Sequence, residues 1–210
     1  MKVSLAAALA AALQAQAAAG LPLLSEVLYD AVGADDGAGF VELYGPAGTS
    51  LEGYTLEGVN GSDGGVTHTL ELSGTIPADG IFVVADASAA GPTLVPGADL
   101  VLDFDFQNGP DSVVLRDALG AVVDALGYGA FTPAEVFAGE GSPAPDPAAG
   151  SSVARVYANV DTDDNAADFA ALATPTPGEA PILPVPEPSA GLLLATGLSA
   201  LALRGGLRPA

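Results

Sequence analysis

The sequence predicts an all-β fold, an antiparallel β-sandwich, and three observations point there. Short apolar runs, many alternating with period two, recur every 10 to 20 residues from Leu21 to about Gly178. Glycine and proline, 27 and 17 of 210 residues, make up about a fifth of the chain, against a usual share of roughly an eighth. No long stretch of the body carries a helical period, so short strands joined by tight turns are the expected architecture. Half of the residues are apolar, enough for a core, and the length allows one domain of ordinary size.

The elements follow in order. LPLLSEVLYD (21–30) alternates near its end, and GFVELYG (39–45) places Val41 and Leu43 on one face and Glu42 on the other. YTLEGV (54–59) and THTLEL (67–72) alternate likewise. Residues 60–65, Asn-Gly-Ser-Asp-Gly-Gly, tolerate positive φ and predict a hairpin between them. GIFVVAD (80–86) is apolar almost throughout, as in a central strand. LVLDFDF (100–106) sets Leu100, Leu102, Phe104 and Phe106 on one side, with Val101, Asp103 and Asp105 opposite. DSVVLRD (111–117) and GAVVDALGYG (120–129) form a second predicted hairpin through residues 117–120.

Charge and composition exclude several functions. The net charge of −21 argues against nucleic acid, whose binding depends on Lys and Arg replacing phosphate counterions. Between Met1 and Glu187 the only cationic side chains are Lys2, Arg116 and Arg155. The absence of cysteine removes disulfide scaffolds and Cys-ligated zinc. His68 is the only histidine. No Gly-x-Ser-x-Gly elbow, His-Glu-x-x-His pair or Gly-Lys-Ser/Thr loop accompanies it, so His68 reads as a strand residue. Asp103-Phe104-Asp105 resembles a metal-binding pair in spacing, but two-residue alternation on a wet strand face accounts for it. A glycosidase would need two carboxylates about 5 to 10 Å apart across a cleft, a separation the sequence does not give.

The two ends read as addresses. Lys2 precedes an apolar run, VSLAAALAAAL, and then QAQAAAG, the pattern of a secretory signal peptide over residues 1–19. Both Ala15-Gln16-Ala17 and Ala17-Ala18-Ala19 suit signal peptidase. At the other end, a Pro-rich linker (179–184) leads to a tail (185–210). Its residues 190–203 are 14 without a charge, about 21 Å as a helix against a hydrocarbon core of about 30 Å. Extended through Leu207, with Arg204 snorkelling, the span approaches about 27 Å. Arg204 and Arg208 would hold that end on the cytoplasmic side. The longer stretch 174–189 reads as a spacer between domain and membrane.

Val185-Pro186-Glu187-Pro188, the apolar run and the arginines Arg204 and Arg208 together resemble the PEP-CTERM sorting signal of Gram-negative bacteria. That resemblance implies an exosortase-type processing enzyme as partner, with inner-membrane contact through the tail. The body resembles a lamin tail domain, an immunoglobulin-like β-sandwich, over residues 21–178. The matching stretches are LLSEVLYD, GFVELYGPAG, SLEGYTLEG, GTIPADGIFVVAD, GPDSVVLRDALGAVVDALGYG and DTDDNAADFAALATPTPG. Gly45-Pro46 stands where the family usually has Asn-Pro, and Tyr54 where it commonly has tryptophan.

One acidic cluster, NVDTDDNAADF, invites a metal. Asp161, Asp163 and Asn165 occupy the first three positions of a calcium-loop spacing, but Ala166 replaces the turn glycine and Leu172 the bidentate glutamate, so this is no EF-hand. Two readings stand. Asp164 or Asn165 caps a short helix, AADFAALA (166–173), with Asp168 at its positive end and Phe169 pinning it to the sandwich. Alternatively, Asp161 and Asp163 hold calcium with loop carbonyls. The Pro/Gly-rich stretch 139–152 is a loop, either a binding surface or an ordinary insertion.

The expectation is an exported, non-enzymatic, structural or adhesive module of the cell envelope, cell surface or extracellular matrix. It meets extracellular polysaccharide or surface proteins and needs no cofactor. The alternatives are a calcium-dependent polysaccharide-binding protein and a secreted hydrolase working through carboxylates.

Overall fold

A computed structural model describes residues 20–184. The segments read as a signal peptide (1–19) and as a sorting tail (185–210, with Val185, Pro186, Glu187, Pro188, Arg204 and Arg208) lie outside the described residues.

Among the described residues ten strands make two sheets, with one helical turn beside them. The strands are β1 (Leu23–Leu28), β2 (Phe40–Tyr44), β3 (Thr55–Asn60), β4 (Val66–Glu71), β5 (Ile81–Asp86), β6 (Leu100–Leu102), β7 (Asp111–Arg116), β8 (Val122–Tyr128) and β9 (Ser152–Arg155). The helical turn α1 (Asn165–Asp168) precedes β10 (Phe169–Leu172). One sheet runs β10-β9-β1-β2-β5-β6 and the other β4-β3-β7-β8. Every pair is antiparallel except β5–β6, which is parallel. Both predicted hairpins are present, as β3–β4 and β7–β8.

The core lies between the sheets. Leu24, Val27, Val41, Leu43 and Val84 from one meet Leu56, Leu70, Val113, Leu115 and Leu126 from the other, and loop residues Phe104 and Phe106 join them. Each such side chain contributes about 1.5–3 kcal/mol when taken from water. Tyr54 packs against this cluster. Tyr29 and Tyr128 stack with ring centroids 4.0 Å apart.

The six-stranded sheet is covered on its other face as well. Leu28, Phe40, Val83 and Ala85 form a second cluster with Val95 from the β5–β6 connection. Two covered faces explain why β5 is apolar at consecutive positions instead of alternate ones.

Three local expectations change. The LVLDFDF strand ends at Leu102, although its alternation persists beyond: Phe104 and Phe106 are buried, Asp103 and Asp105 exposed. The helix expected over 166–173 stops at Asp168, because Phe169–Leu172 pair with β9 as an edge strand. Residues 174–184 lie against the domain: Thr176 and Gly178 donate backbone N–H groups to Glu26 and Glu42, and Pro181 and Leu183 bond to Ala158 and Asn159.

Candidate functional site

Two polar constellations stand out, and one arginine organises the first. Arg155 closes β9 and is 1% exposed. Its Nε donates to Leu24 O at 2.9 Å, on β1. Its Nη1 donates to Val160 O at 3.0 Å, to Asp168 Oδ2 at 3.0 Å and more distantly to Asp161 Oδ1 at 3.4 Å. Its Nη2 donates to both carboxylate oxygens of Asp124, at 3.0 and 2.8 Å. The guanidinium carbon sits 4.4 Å from the centroid of the Phe169 ring, which faces Arg155 across the β9–β10 pair.

Asp124 belongs to β8 in one sheet and Arg155 to β9 in the other, so the pair ties the sandwich together. Burial pushes the Asp124 carboxyl above its ordinary range, and the Arg155 charge and the Leu24 N–H oppose that. A buried pair of this kind has a large desolvation cost that good geometry and added hydrogen bonds offset.

The metal candidates divide around this network. Asn165 is fully buried, and its amide is used in the fold. Oδ1 accepts from Gly127 N at 2.8 Å and Glu140 N at 2.9 Å, and Nδ2 donates to Ala125 O at 2.8 Å. A side chain at Gly139 would collide with that amide oxygen, so the approach requires glycine there. Asp163 is exposed with φ 55, a left-handed turn position. Asp164 caps α1, accepting from Ala166 N at 3.2 Å and from Ser142 N at 3.0 Å. Asp168 accepts from Thr162 and Arg155.

Asp161 meets different partners from those the spacing suggested. Its oxygen lies within 4.8 Å of oxygens on Asp124 and Glu140. Glu140 Oε2 is buried without a hydrogen-bond partner. Burial, then repulsion from Asp124, Asp161 and Asp163, pushes the Glu140 carboxyl up to about 8, against the pull of Arg155. The guanidinium reaches two of these three carboxylates, Asp124 and Asp161.

The second constellation lies on the outer face of the six-stranded sheet. A bulge in β1 between Leu24 and Glu26 lets Ser25 and Glu26 both face away from the core, opposite Glu42 of β2. Alternation alone sets Glu42 on a wet face, yet it is fully buried, because residues 174–181 cross over it. All four oxygens of the two glutamates accept hydrogen bonds from the chain. Glu26 receives Ser152 Oγ, Thr176 N and Thr176 Oγ1 at 2.6–2.9 Å. Glu42 receives Ser25 Oγ at 2.7 Å and Gly178 N at 2.8 Å. Burial lifts Glu42 to about 7, the neighbouring Glu26 adding to it and the two hydrogen bonds working against it.

Glu26 and Glu42 also border a cleft of about 730 Å³, walled further by Ala154, Val156, Ala170, Leu172 and Pro181. The hydrogen bonds to Glu26 and Glu42 fasten the crossing strap. His68 sits half-buried on β4 with its ring edge-on to Phe106, centroids 6.0 Å apart.

Among the described residues the chain is a two-sheet β-sandwich. No family model matches the sequence, and no curated protein matches it.

Proposed function

We propose that this chain is an exported, non-enzymatic module of the bacterial cell envelope or extracellular matrix. In this reading it is a lamin-tail-like, immunoglobulin-like sandwich delivered by a PEP-CTERM sorting tail and acting through structural or adhesive contacts. The observation that supports it most is the strap. Residues 174–184 leave β10, cross the sheet, are fastened by Glu26, Glu42 and Asn159, and end next to the Val185-Pro186-Glu187-Pro188 stretch. A tether seated on the domain in this way passes load from the tail into paired strands, which suits a module held at a surface.

The test is fractionation in the host. The whole chain is expected in envelope or matrix fractions, and a chain lacking residues 185–210 in the soluble exported fraction. Unchanged fractionation after that deletion would contradict the sorting role.

A further inference from the structure

Where the strap ends, the surface turns apolar. Val156 and Tyr157, in the turn after β9, are 47% and 41% exposed, and Ile182 and Leu183 of the strap are 52% and 45% exposed. The two segments are laced together. Ala158 N donates to Pro181 O at 2.7 Å, Asn159 Nδ2 to Leu183 O at 2.9 Å, and Leu183 N to Asn159 Oδ1 at 2.7 Å. Four large, partly exposed apolar side chains thus lie on two segments that hydrogen bonds hold side by side, a grouping of the kind found at interaction surfaces.

We propose that this edge, formed by Val156, Tyr157, Ile182 and Leu183, rests on the surface of a lipid bilayer. Chain length carries the choice of partner. Leu183 stands seven residues before Ala190, where the uncharged run begins, and seven extended residues span at most about 25 Å. A tail seated in a bilayer therefore holds this edge close to the headgroups, and the hydrogen bonds to Asn159 prevent the strap from paying out as a longer leash. Tyrosine is suited to that depth, with an apolar ring and a polar tip.

Charge selects the kind of lipid. Glu179 is exposed on the same strap, and the two arginines among the described residues are already committed, Arg155 in the core and Arg116 to Glu57. The expected surface is zwitterionic, with anionic headgroups repelled.

This contact rests on the sorting-tail reading above and is made while the tail is still attached, and one experiment separates the two. The chain has no cysteine, so Ile182→Cys and Leu119→Cys each give a single labelling site in the full chain with its tail. Leu119 lies in the β7–β8 turn at 93% exposure and serves as the control. A polarity-sensitive fluorophore is attached and phosphatidylcholine vesicles are added. The expected result is flotation with the vesicles, blue-shifted emission and loss of iodide quenching at 182, and no change at 119. Phosphatidylglycerol in the vesicles should lessen the effect. Val156→Ser with Tyr157→Ser, both at exposed positions, should weaken the shielding at 182 by about tenfold in lipid concentration. Flotation with the 182 probe as wet as in water would overturn the surface while leaving the tail in place. Absence of flotation would overturn the tail reading and the surface with it. Shielding at 182 without vesicles, growing with protein concentration, would assign the edge to a second copy of the chain and overturn the proposal.

Discussion

Arg155 Nη2 donates to both carboxylate oxygens of Asp124, and through that contact one side chain from each sheet closes the sandwich. Removing the cation leaves Asp124 and Asp168 buried and uncompensated. Arg155→Leu is expected to lower unfolding stability by about 3–5 kcal/mol. The double variant Arg155→Leu with Asp124→Leu should regain a large part of that loss. Urea denaturation of both variants and of Asp124→Leu measures the coupling. Additive losses would show that the pair is not coupled.

Glu42 supplies a pH dependence of defined sign. Its carboxyl is lifted from 4.5 to about 7 in the folded chain. Between those values the folded chain keeps a proton that the unfolded chain has released, so stability falls as pH rises through that window, by up to about 3 kcal/mol. Glu42→Gln, neutral throughout, should flatten this part of the profile. Denaturation midpoints measured at about pH 5 and about pH 8 give the comparison.

Glu140 acts in the same direction over a higher range, its carboxyl being lifted to about 8. Glu140→Gln should change little in mildly acidic buffer, where the native side chain is already protonated. In alkaline buffer it should raise the melting temperature, because the replacement removes the repulsion from Asp124, Asp161 and Asp163. A lower melting temperature at both pH values would show that the carboxylate is needed.

The metal candidates should separate on substitution. Asn165→Ala removes three hydrogen bonds, two of them buried, and should cost about 3 kcal/mol. Asp163→Gly relieves a left-handed backbone position and should shift stability by no more than about 0.5 kcal/mol, or increase it. Because Arg155 already sits among the carboxylates, millimolar calcium should raise the melting temperature no more than sodium chloride of equal ionic strength does. A calcium-specific rise that disappears in Glu140→Gln would instead place an ion beside the arginine.

Much of the sandwich was legible because alternation and turn chemistry are local. The two hairpins follow from residues 60–65 and 117–120, and the wet face of Asp103 and Asp105 follows from period two even where the strand has ended. What was not legible depends on contacts distant in sequence. Glu42 reads as exposed until a strap more than a hundred residues later covers it. The bulge that turns Ser25 outward beside Glu26 leaves no composition signal. Residues 169–172 read as helix because alanine favours one, yet β9 offers them a strand partner, and tertiary pairing overrides propensity. The proline-rich stretch 174–184 reads as a spacer because its bonding groups, the Thr176 hydroxyl apart, are backbone N–H and C=O groups, which sequence does not distinguish from solvated ones. Arg155 carried the one usable hint: it is a lone cation within a strand of small and apolar neighbours, Val153 and Ala154, in a strongly acidic chain. Such a charge needs buried partners.

Intact-mass spectrometry of the protein recovered from its host tests the export and sorting reading most directly. The expected polypeptide begins after Ala17 or Ala19 and ends near the Pro186-Glu187-Pro188 stretch, short of Arg204 and Arg208. A single species at the full 20.5 kDa, found in the cytosol with both ends intact, would contradict it.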